Sequence, residues 1–139
     1  MKAFFLASLA CLATAVPALA APVTVELDGV RAGTGRLYVS VQTREQFMRD
    51  DGAAATIVTA PQAGAHRFGY ELTPGEYAVS VWHDDNGNGA FDKDERFMPL
   101  DGWAMTNSER LRGEPTFDDV RIVVGPSPAT VRLGMTYGR

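Results

Sequence analysis

The feature that most constrains this chain is a succession of short segments in which apolar and polar residues alternate, divided by turns rich in Gly and Pro. A period of two puts alternate side chains on opposite faces of a β-strand, as with Leu37, Val39 and Val41. The predicted strands are 23–27, 35–43, 54–60, 66–72, 77–82, 117–124 and 130–137. The stretches 44–51 and 96–115 show no clear period. About seven strands without a long amphipathic helix predict an all-β fold, a single antiparallel two-sheet sandwich.

The first 20 residues have the pattern of a secretory signal peptide. Lys2 is followed by an apolar run to Val16, and Ala18-Leu19-Ala20 is a small-x-small cleavage site. The run is too short to span a membrane. We therefore expect cleavage near Ala20, which leaves one domain, residues 21–139, in the periplasm or outside the cell.

Cys11 is the only cysteine in the chain, and it follows a small residue as in bacterial lipoproteins. Acylation at Cys11 would leave a very short apolar region, so release at Ala20 is the favoured interpretation. The mature chain then has no thiol, which excludes disulfides, Cys–zinc sites and a Cys nucleophile. Without Lys2 its charge is 12 − 17 = −5 and it has no basic cluster. Nucleic acid and anionic lipid are therefore poor partners.

Residues 84–95 fit the template of a twelve-residue calcium loop. A hard dication needs six to eight oxygens, so short oxygen-bearing side chains must alternate along a tightly curled backbone. Gly89 permits the sharp turn, and Phe91 is expected to anchor the loop in the core. The predicted ligands are Asp84, Asn86, Asn88, the carbonyl of Ala90, Asp92 and Glu95.

The charge of this loop favours a bound cation. Five acidic residues against Lys93 alone give −5 + 1 = −4 within twelve residues. Like charges at such density repel one another unless a cation neutralises them. The alternative is a plain solvated turn, because Asn and Gly tolerate positive φ in any β-protein. Calcium is the predicted cofactor, and a non-enzymatic exported module in envelope structure or recognition is the favoured function.

Two further functions stay open. A small periplasmic ligand-binding protein or hydrolase could use His83 beside a pocket under the loop 96–107, although such a His is more often a capping or core residue bonded to a neighbouring carboxylate. No nucleophile motif is present, so no catalytic residue is nominated. Trp103 could stack a sugar or peptide, while Trp82 is expected to fill the core. The partner would be a protein or a glycan, and a subunit that donates an edge strand is the third hypothesis.

The run 77–89, preceded by Leu72-Thr73-Pro74-Gly75, resembles the signature of the exported bacterial family called domain of unknown function 2141. Residues 35–39 and 114–120 are similar to its flanking motifs, so the resemblance covers most of the mature chain. It implies a secreted or periplasmic β-sandwich, immunoglobulin-like or transthyretin-like in outline, with no established activity. In the family's next loop only Pro99, Gly102 and Asn107 correspond. An acidic residue at the position of Glu95 is not a regular family feature, so its ligand role depends on this sequence alone.

Overall fold

The computed structural model describes residues 17–138, so most of the predicted signal peptide lies outside the described residues. Residues 17–138 form eight strands and one short helix in chain order, together with a 3-10 turn at Ser108–Arg110. The strands are β1 (Ala21–Val30), β2 (Arg36–Gln42), β3 (Ala54–Thr59), β4 (Gly64–Leu72), β5 (Gly75–His83), β6 (Gly102–Met105), β7 (Ile122–Val124) and β8 (Ala129–Gly134). The helix is α1 (Phe117–Val120). The predicted β class is thus confirmed.

The strands form one sheet of three strands and one of five. The smaller sheet has the order β4-β1-β8. In the larger sheet β3, β2 and β5 lie side by side, and the far edge of β5 is shared by two short strands. β7 pairs with the start of β5 and β6 with its end. One expectation is corrected, because β8 runs parallel to β1 and the arrangement is not wholly antiparallel.

Two segments differ from the sequence prediction. Residues 117–120, expected to begin a strand, form α1 because the Asp119 carboxylate accepts hydrogen bonds from both the N–H and the hydroxyl of Thr116, which stabilises a helical start. Conversely, β6 lies inside the stretch predicted to be irregular. Four residues are too few to show a period, and the strand forms because its backbone pairs with the end of β5.

The two sheets pack against each other across a single apolar core. Its centre consists of β-branched and Leu side chains, at most 3% exposed, from the three longest central strands: Val23, Val25, Leu27, Leu37, Val39, Val41, Val79 and Val81. A second, smaller cluster lies on the outer face of the larger sheet, where α1 covers Ala78 with Phe117 and Val120. α1 therefore shields the part of that face near the start of β5.

The rest of this outer face bears an apolar and aromatic row. Ile57, Tyr38, Trp82 and Trp103 are directly opposite one another on β3, β2, β5 and β6. We call these four residues the aromatic row. The rings of Tyr38 and Trp82 stack with centroids 4.7 Å apart and planes 14° from parallel. Trp82, expected to fill the core, is instead half-buried on the outer face.

Candidate functional site

The candidate site begins where β5 ends, with Asp84. β5 is paired on both sides at this point, and the Asp84 N–H still donates to the Arg36 carbonyl at 2.9 Å. The Asp84 side chain is 3% exposed. Its carboxylate accepts the N–H of Asn88 at 3.1 Å and that of Gly89 at 2.9 Å. Asp84 therefore extends the sheet and curls the following loop back over its own carboxylate.

Between Asp84 and Asp92 the loop is built from successive side-chain-to-backbone hydrogen bonds. The Asn86 Oδ1 accepts the Asn88 N–H at 2.9 Å, and the Asn88 Oδ1 accepts the Ala90 N–H at 2.8 Å. The same two side chains donate from Nδ2 to one oxygen, Oδ2 of Asp92, at 2.6 and 2.7 Å. Asx side chains commonly close turns in this way. Four of the predicted ligands, at the first, third, fifth and ninth positions, are thus brought together.

The far end of the loop is fixed by Asp101, a residue that the sequence analysis did not single out. The Asp92 N–H donates to Oδ2 of Asp101 at 3.2 Å, and the Asp92 carbonyl accepts the Leu100 N–H at 2.9 Å. The same Asp101 oxygen accepts the Trp82 indole N–H at 2.8 Å. Asp101 is 1% exposed. An Asp before Gly102 is typical of an exposed turn, so its burial could not be inferred from local pattern.

After Asp92 the chain forms a small hairpin. Lys93 bridges to Pro99, and the Asp94 carboxylate accepts the N–H groups of Arg96 and Met98 at 2.8 and 2.9 Å. Glu95 lies exposed in this turn, and in residues 17–138 no hydrogen bond joins it to the other predicted ligands. Its ligand role, like that of the Ala90 carbonyl, stays a prediction.

The donor set that meets here is mixed. In the part of the chain that the structure describes, no three side chains drawn from His, Cys, Asp and Glu alone group closely enough to hold a metal ion. The four converging side chains are two carboxylates and two carboxamides. Oxygen donors of this kind suit a hard cation such as calcium and do not suit zinc.

Gly35 explains why β2 and the loop can approach so closely. A Cβ at Gly35 would lie 1.5 Å from the Asp84 carbonyl oxygen and 3.2 Å from the Gly87 nitrogen. Any larger residue would therefore displace the start of the loop. In the sequence, Gly35 stands out only as the first residue of a motif. A glycine can indicate a close approach of two backbones, but the residue that Gly35 approaches, Asp84, is 84 − 35 = 49 positions further along the chain.

Phe91 does not enter the core as predicted. It is 40% exposed and meets Trp82 edge-on, with ring centroids 6.1 Å apart and planes at 82°. The Lys93 ammonium lies 5.6 Å from the centre of its ring. Phe91 therefore extends the aromatic row toward the hairpin instead of holding the loop from beneath.

His83 is fully buried on the inner side of β5. Its Nδ1 is 2.8 Å from the Tyr137 hydroxyl, which also accepts the Arg31 N–H at 2.9 Å. The expected carboxylate partner is thus wrong, and the partner is a phenol. Nε2 has no hydrogen-bond partner among the described residues. Burial lowers the pKa of His83, against the opposing effect of the nearby carboxylates of Asp85, Asp101 and Asp84.

A cavity of about 250 Å³ lies beside the hairpin, where the alternative function placed a pocket. It is lined by Asp94, Met98, Pro99, Leu100, Trp103, Thr136, Tyr137 and Gly138. His83 does not line it; the Tyr137 side chain contacts both. The structure therefore does not bring His83 to the pocket that a hydrolase or ligand-binding site would need.

These observations define a mostly β protein of two packed sheets, with an acidic Asx-rich loop at the end of a central strand. The chain belongs to the family described as "Uncharacterized protein conserved in bacteria (DUF2141)", whose model matches residues 25–132. No curated protein and no solved structure matches the chain. Within residues 17–138 there is no helix of the length and apolar character needed to cross a membrane.

Proposed function

We propose that this protein is an exported, non-enzymatic β-sandwich module, immunoglobulin-like or transthyretin-like in outline, whose loop 84–95 binds calcium. Export depends on the leader, with cleavage near Ala20 and action in the periplasm or outside the cell. The module serves envelope structure or the recognition of a protein or glycan.

The observation that supports calcium binding is the convergence of Asp84, Asn86, Asn88 and Asp92. Each contributes a short side chain with a carboxylate or amide oxygen. Oxygens of Asn86 and Asn88 that already accept one backbone N–H have a second lone pair for a cation. The two amide N–H groups that now meet Asp92 Oδ2 are the electropositive partners that a cation would replace at that oxygen.

The first and ninth positions of the loop are held before any cation binds. Asp84 is fixed by Arg36 of β2, and Asp92 by Asp101 and Leu100. The residues between these two anchors are already curled by their own hydrogen bonds, so Glu95, in the exposed hairpin, is the predicted ligand that has the most order to gain on binding. Pre-ordering of this kind reduces the conformational entropy lost on binding.

The charge of the loop and its expected affinity indicate in which compartment the site would be filled. Binding of a divalent cation would neutralise half of the −4 charge of the loop. Extracellular calcium modules of this class have dissociation constants of roughly 0.1–1 mM. Such a site fills in a space open to the outside and stays empty in a cytosol with far less calcium.

The direct test is a titration of the exported protein with calcium, by calorimetry and by terbium luminescence sensitised through Trp82. Asp92→Asn removes the charge from the carboxylate on which both amides converge, and we expect it to weaken binding at least tenfold. Asp94→Asn is the matched control. It removes the same charge two residues later, where the carboxylate accepts only backbone N–H groups of its own turn, and we expect a change below threefold.

Two results would contradict the proposal. One is the absence of any binding heat or terbium signal at 10 mM calcium. The other is an equal loss in both variants, because that would indicate a diffuse attraction to negative charge instead of a site.

The alternative, a small periplasmic ligand-binding protein or hydrolase with a site near His83, has less support, because His83 is fully buried and is bonded to Tyr137.

A further inference from the structure

A second candidate site is the free edge of β3, the side of this strand that faces away from β2. Among the residues described, β3 pairs only with β2, at one edge of the five-stranded sheet. Alternate N–H and C=O groups of such an edge point away from the sheet and can bind another strand. Natural proteins usually block this edge with a charged residue, a proline or a bulge.

β3 has none of these protective features. The segment 53–60, Ala-Ala-Ala-Thr-Ile-Val-Thr-Ala, contains no charged residue and no proline. Its pairing with β2 is continuous from Ala54 to Thr59 without a bulge. Two copies of this edge can therefore approach without charge repulsion between the strands. The rest of the chain is acidic, with 17 acidic against 13 basic residues, so a neutral edge is a local exception.

The side chains on β3 divide cleanly between the two faces. Ala54, Thr56 and Val58 are half-buried toward the core, whereas Ala55, Ile57 and Thr59 are exposed on the outer face. Ile57 is 58% exposed at the end of the aromatic row, so pairing at this edge would bury apolar surface that the single chain leaves in water. Within residues 17–138 no strand or bridge lies beyond Ile57, whereas Trp103, at the other end of the aromatic row, bridges to Thr136.

We propose that β3 pairs antiparallel with β3 of a second copy of this chain, so that the two five-stranded sheets become one continuous sheet. In an antiparallel pair, residues directly opposite each other lie on the same face. The residue numbers of each pair must then have an even sum. A two-fold axis at Ile57 satisfies this rule and sets Ile57 against its own counterpart.

This register sets the exposed Ile57 side chains of the two copies against each other. With the axis at Ile57, Ala55 faces Thr59 of the second copy, and the two aromatic rows meet end to end. Shifting the axis to Thr56 would set Ile57 against Ala55 and leave part of Ile57 exposed. The two-fold arrangement favours a second copy over an unrelated strand, because one surface feature, a neutral edge with a central Ile, satisfies both sides of the interface.

The interface is small, so the dimer is expected to be weak, with a dissociation constant of roughly 10–100 μM. Sedimentation velocity of the exported protein from about 1 to 500 μM should therefore show a monomer–dimer equilibrium within that range. Ile57→Lys sets two like charges directly opposite each other, and we expect it to weaken the dimer at least tenfold.

Val123→Lys is the matched control. Val123 is 71% exposed on another short strand, β7, and receives the same substitution. We expect its sedimentation to match that of the wild type. The proposal is overturned if the wild type is monomeric at every concentration, if Ile57→Lys still dimerises like the wild type, or if both variants lose the dimer equally.

A cross-linking experiment tests the register and does not depend on the folding of Ile57→Lys. Cys11 is replaced by Ser so that each introduced thiol is the only one in the chain. Under mild oxidation, Ile57→Cys should form a disulfide dimer rapidly, because opposed residues of two strands lie within disulfide reach. Ala55→Cys, which is also on the exposed face but opposite Thr59, should react at least tenfold more slowly. Equal slow rates, as random collision would give, would contradict the pairing.

Discussion

The contact between Gly35 and Asp84 gives the sharpest test of how this site is built. The perturbation is Gly35→Ala, which adds one carbon to the residue just before β2. That carbon would lie 1.5 Å from the Asp84 carbonyl oxygen, whereas ordinary contacts begin at 3.4 Å. To restore an ordinary contact, the backbone at Gly35 and that at Asp84 must separate by about 3.4 − 1.5 = 1.9 Å. A flexible side chain could yield, but here the obstacle is the main chain.

The size of the effect follows from what this movement breaks. The Asp84 N–H bond to the Arg36 carbonyl, 2.9 Å long, cannot survive a shift of that size. Losing it costs about 1 kcal/mol, and the strain of overpacking adds about 1–3 kcal/mol. We expect the free energy of unfolding to fall by about 2–4 kcal/mol. For about 120 residues that lowers Tm by roughly 8–16 °C.

The assay is chemical and thermal denaturation of the exported protein, with Gly69→Ala as control. Gly69 lies in β4, has no positive φ, and has no atom within 4 Å of its added Cβ. Its replacement should be neutral or stabilising by up to about 1 kcal/mol, because Ala loses less backbone entropy than Gly on folding. If Gly35→Ala were as stable as Gly69→Ala, the close approach of β2 to the loop would be wrong. Asp84 would then not be held in place by β2.

Three further changes test neighbouring parts of the structure. Asp101→Ala removes the acceptor of two hydrogen bonds, from the Trp82 indole and the Asp92 N–H. We expect it to lower the free energy of unfolding by about 2–4 kcal/mol and to shift the emission of Trp82 to longer wavelength. Asp101→Asn keeps an acceptor oxygen, so its loss of unfolding free energy, measured by denaturant titration, should be less than half as large. Because burial lowers the pKa of His83, the unfolded chain binds this proton more readily, so stability should fall as the pH drops below the ordinary His value of 6.5. His83→Gln should flatten this part of a Tm–pH curve, and an identical slope in both proteins would contradict it. In Thr106→Val the Val79 N–H loses its acceptor, the Thr106 hydroxyl at 3.2 Å. We expect the free energy of unfolding to fall by about 1.5–3 kcal/mol. Thr106→Ser keeps the hydroxyl and should change it little in the same denaturation experiments.

The sequence predicted the long strands well because their faces differ sharply in polarity. In β2 the alternation of Leu37, Val39 and Val41 with polar residues is itself the division between core and surface. The alternation of apolar and polar residues does not identify β6 and β7 as strands. They have four and three residues, and they exist because the edge of the long strand β5 that faces away from β2 can be paired. Pairing of that kind is a tertiary effect that no local period encodes.

The sequence predicted those residues of the candidate site that lie close together along the chain, and it missed the residue that comes from a separate segment. The spacing of Asp84, Asn86, Asn88 and Asp92 follows from the loop template, and the structure brings these four side chains together. Asp101 was missed because its two partners, the Trp82 indole and the Asp92 N–H, come from segments separate from its own. Phe91 was expected inside because calcium loops usually bury that position.

The two proposals depend on different strands and can fail separately. The calcium loop is anchored by the end of β5 and by Asp101, whereas self-pairing uses only the outer edge of β3, and β2 lies between them. Two paths join them. One is the Tyr38–Trp82 stack followed by the indole bond to Asp101, and the other is the backbone of Arg36, which pairs with Thr59 of β3 and accepts the Asp84 N–H. By linkage, any effect of calcium on the dimer must equal the effect of dimerisation on calcium affinity. Since Trp82 is already stacked and bonded in the single chain, neither event has to move it. The two equilibria should therefore be nearly independent, and a strong mutual dependence would show that the aromatic row changes its arrangement when either partner binds.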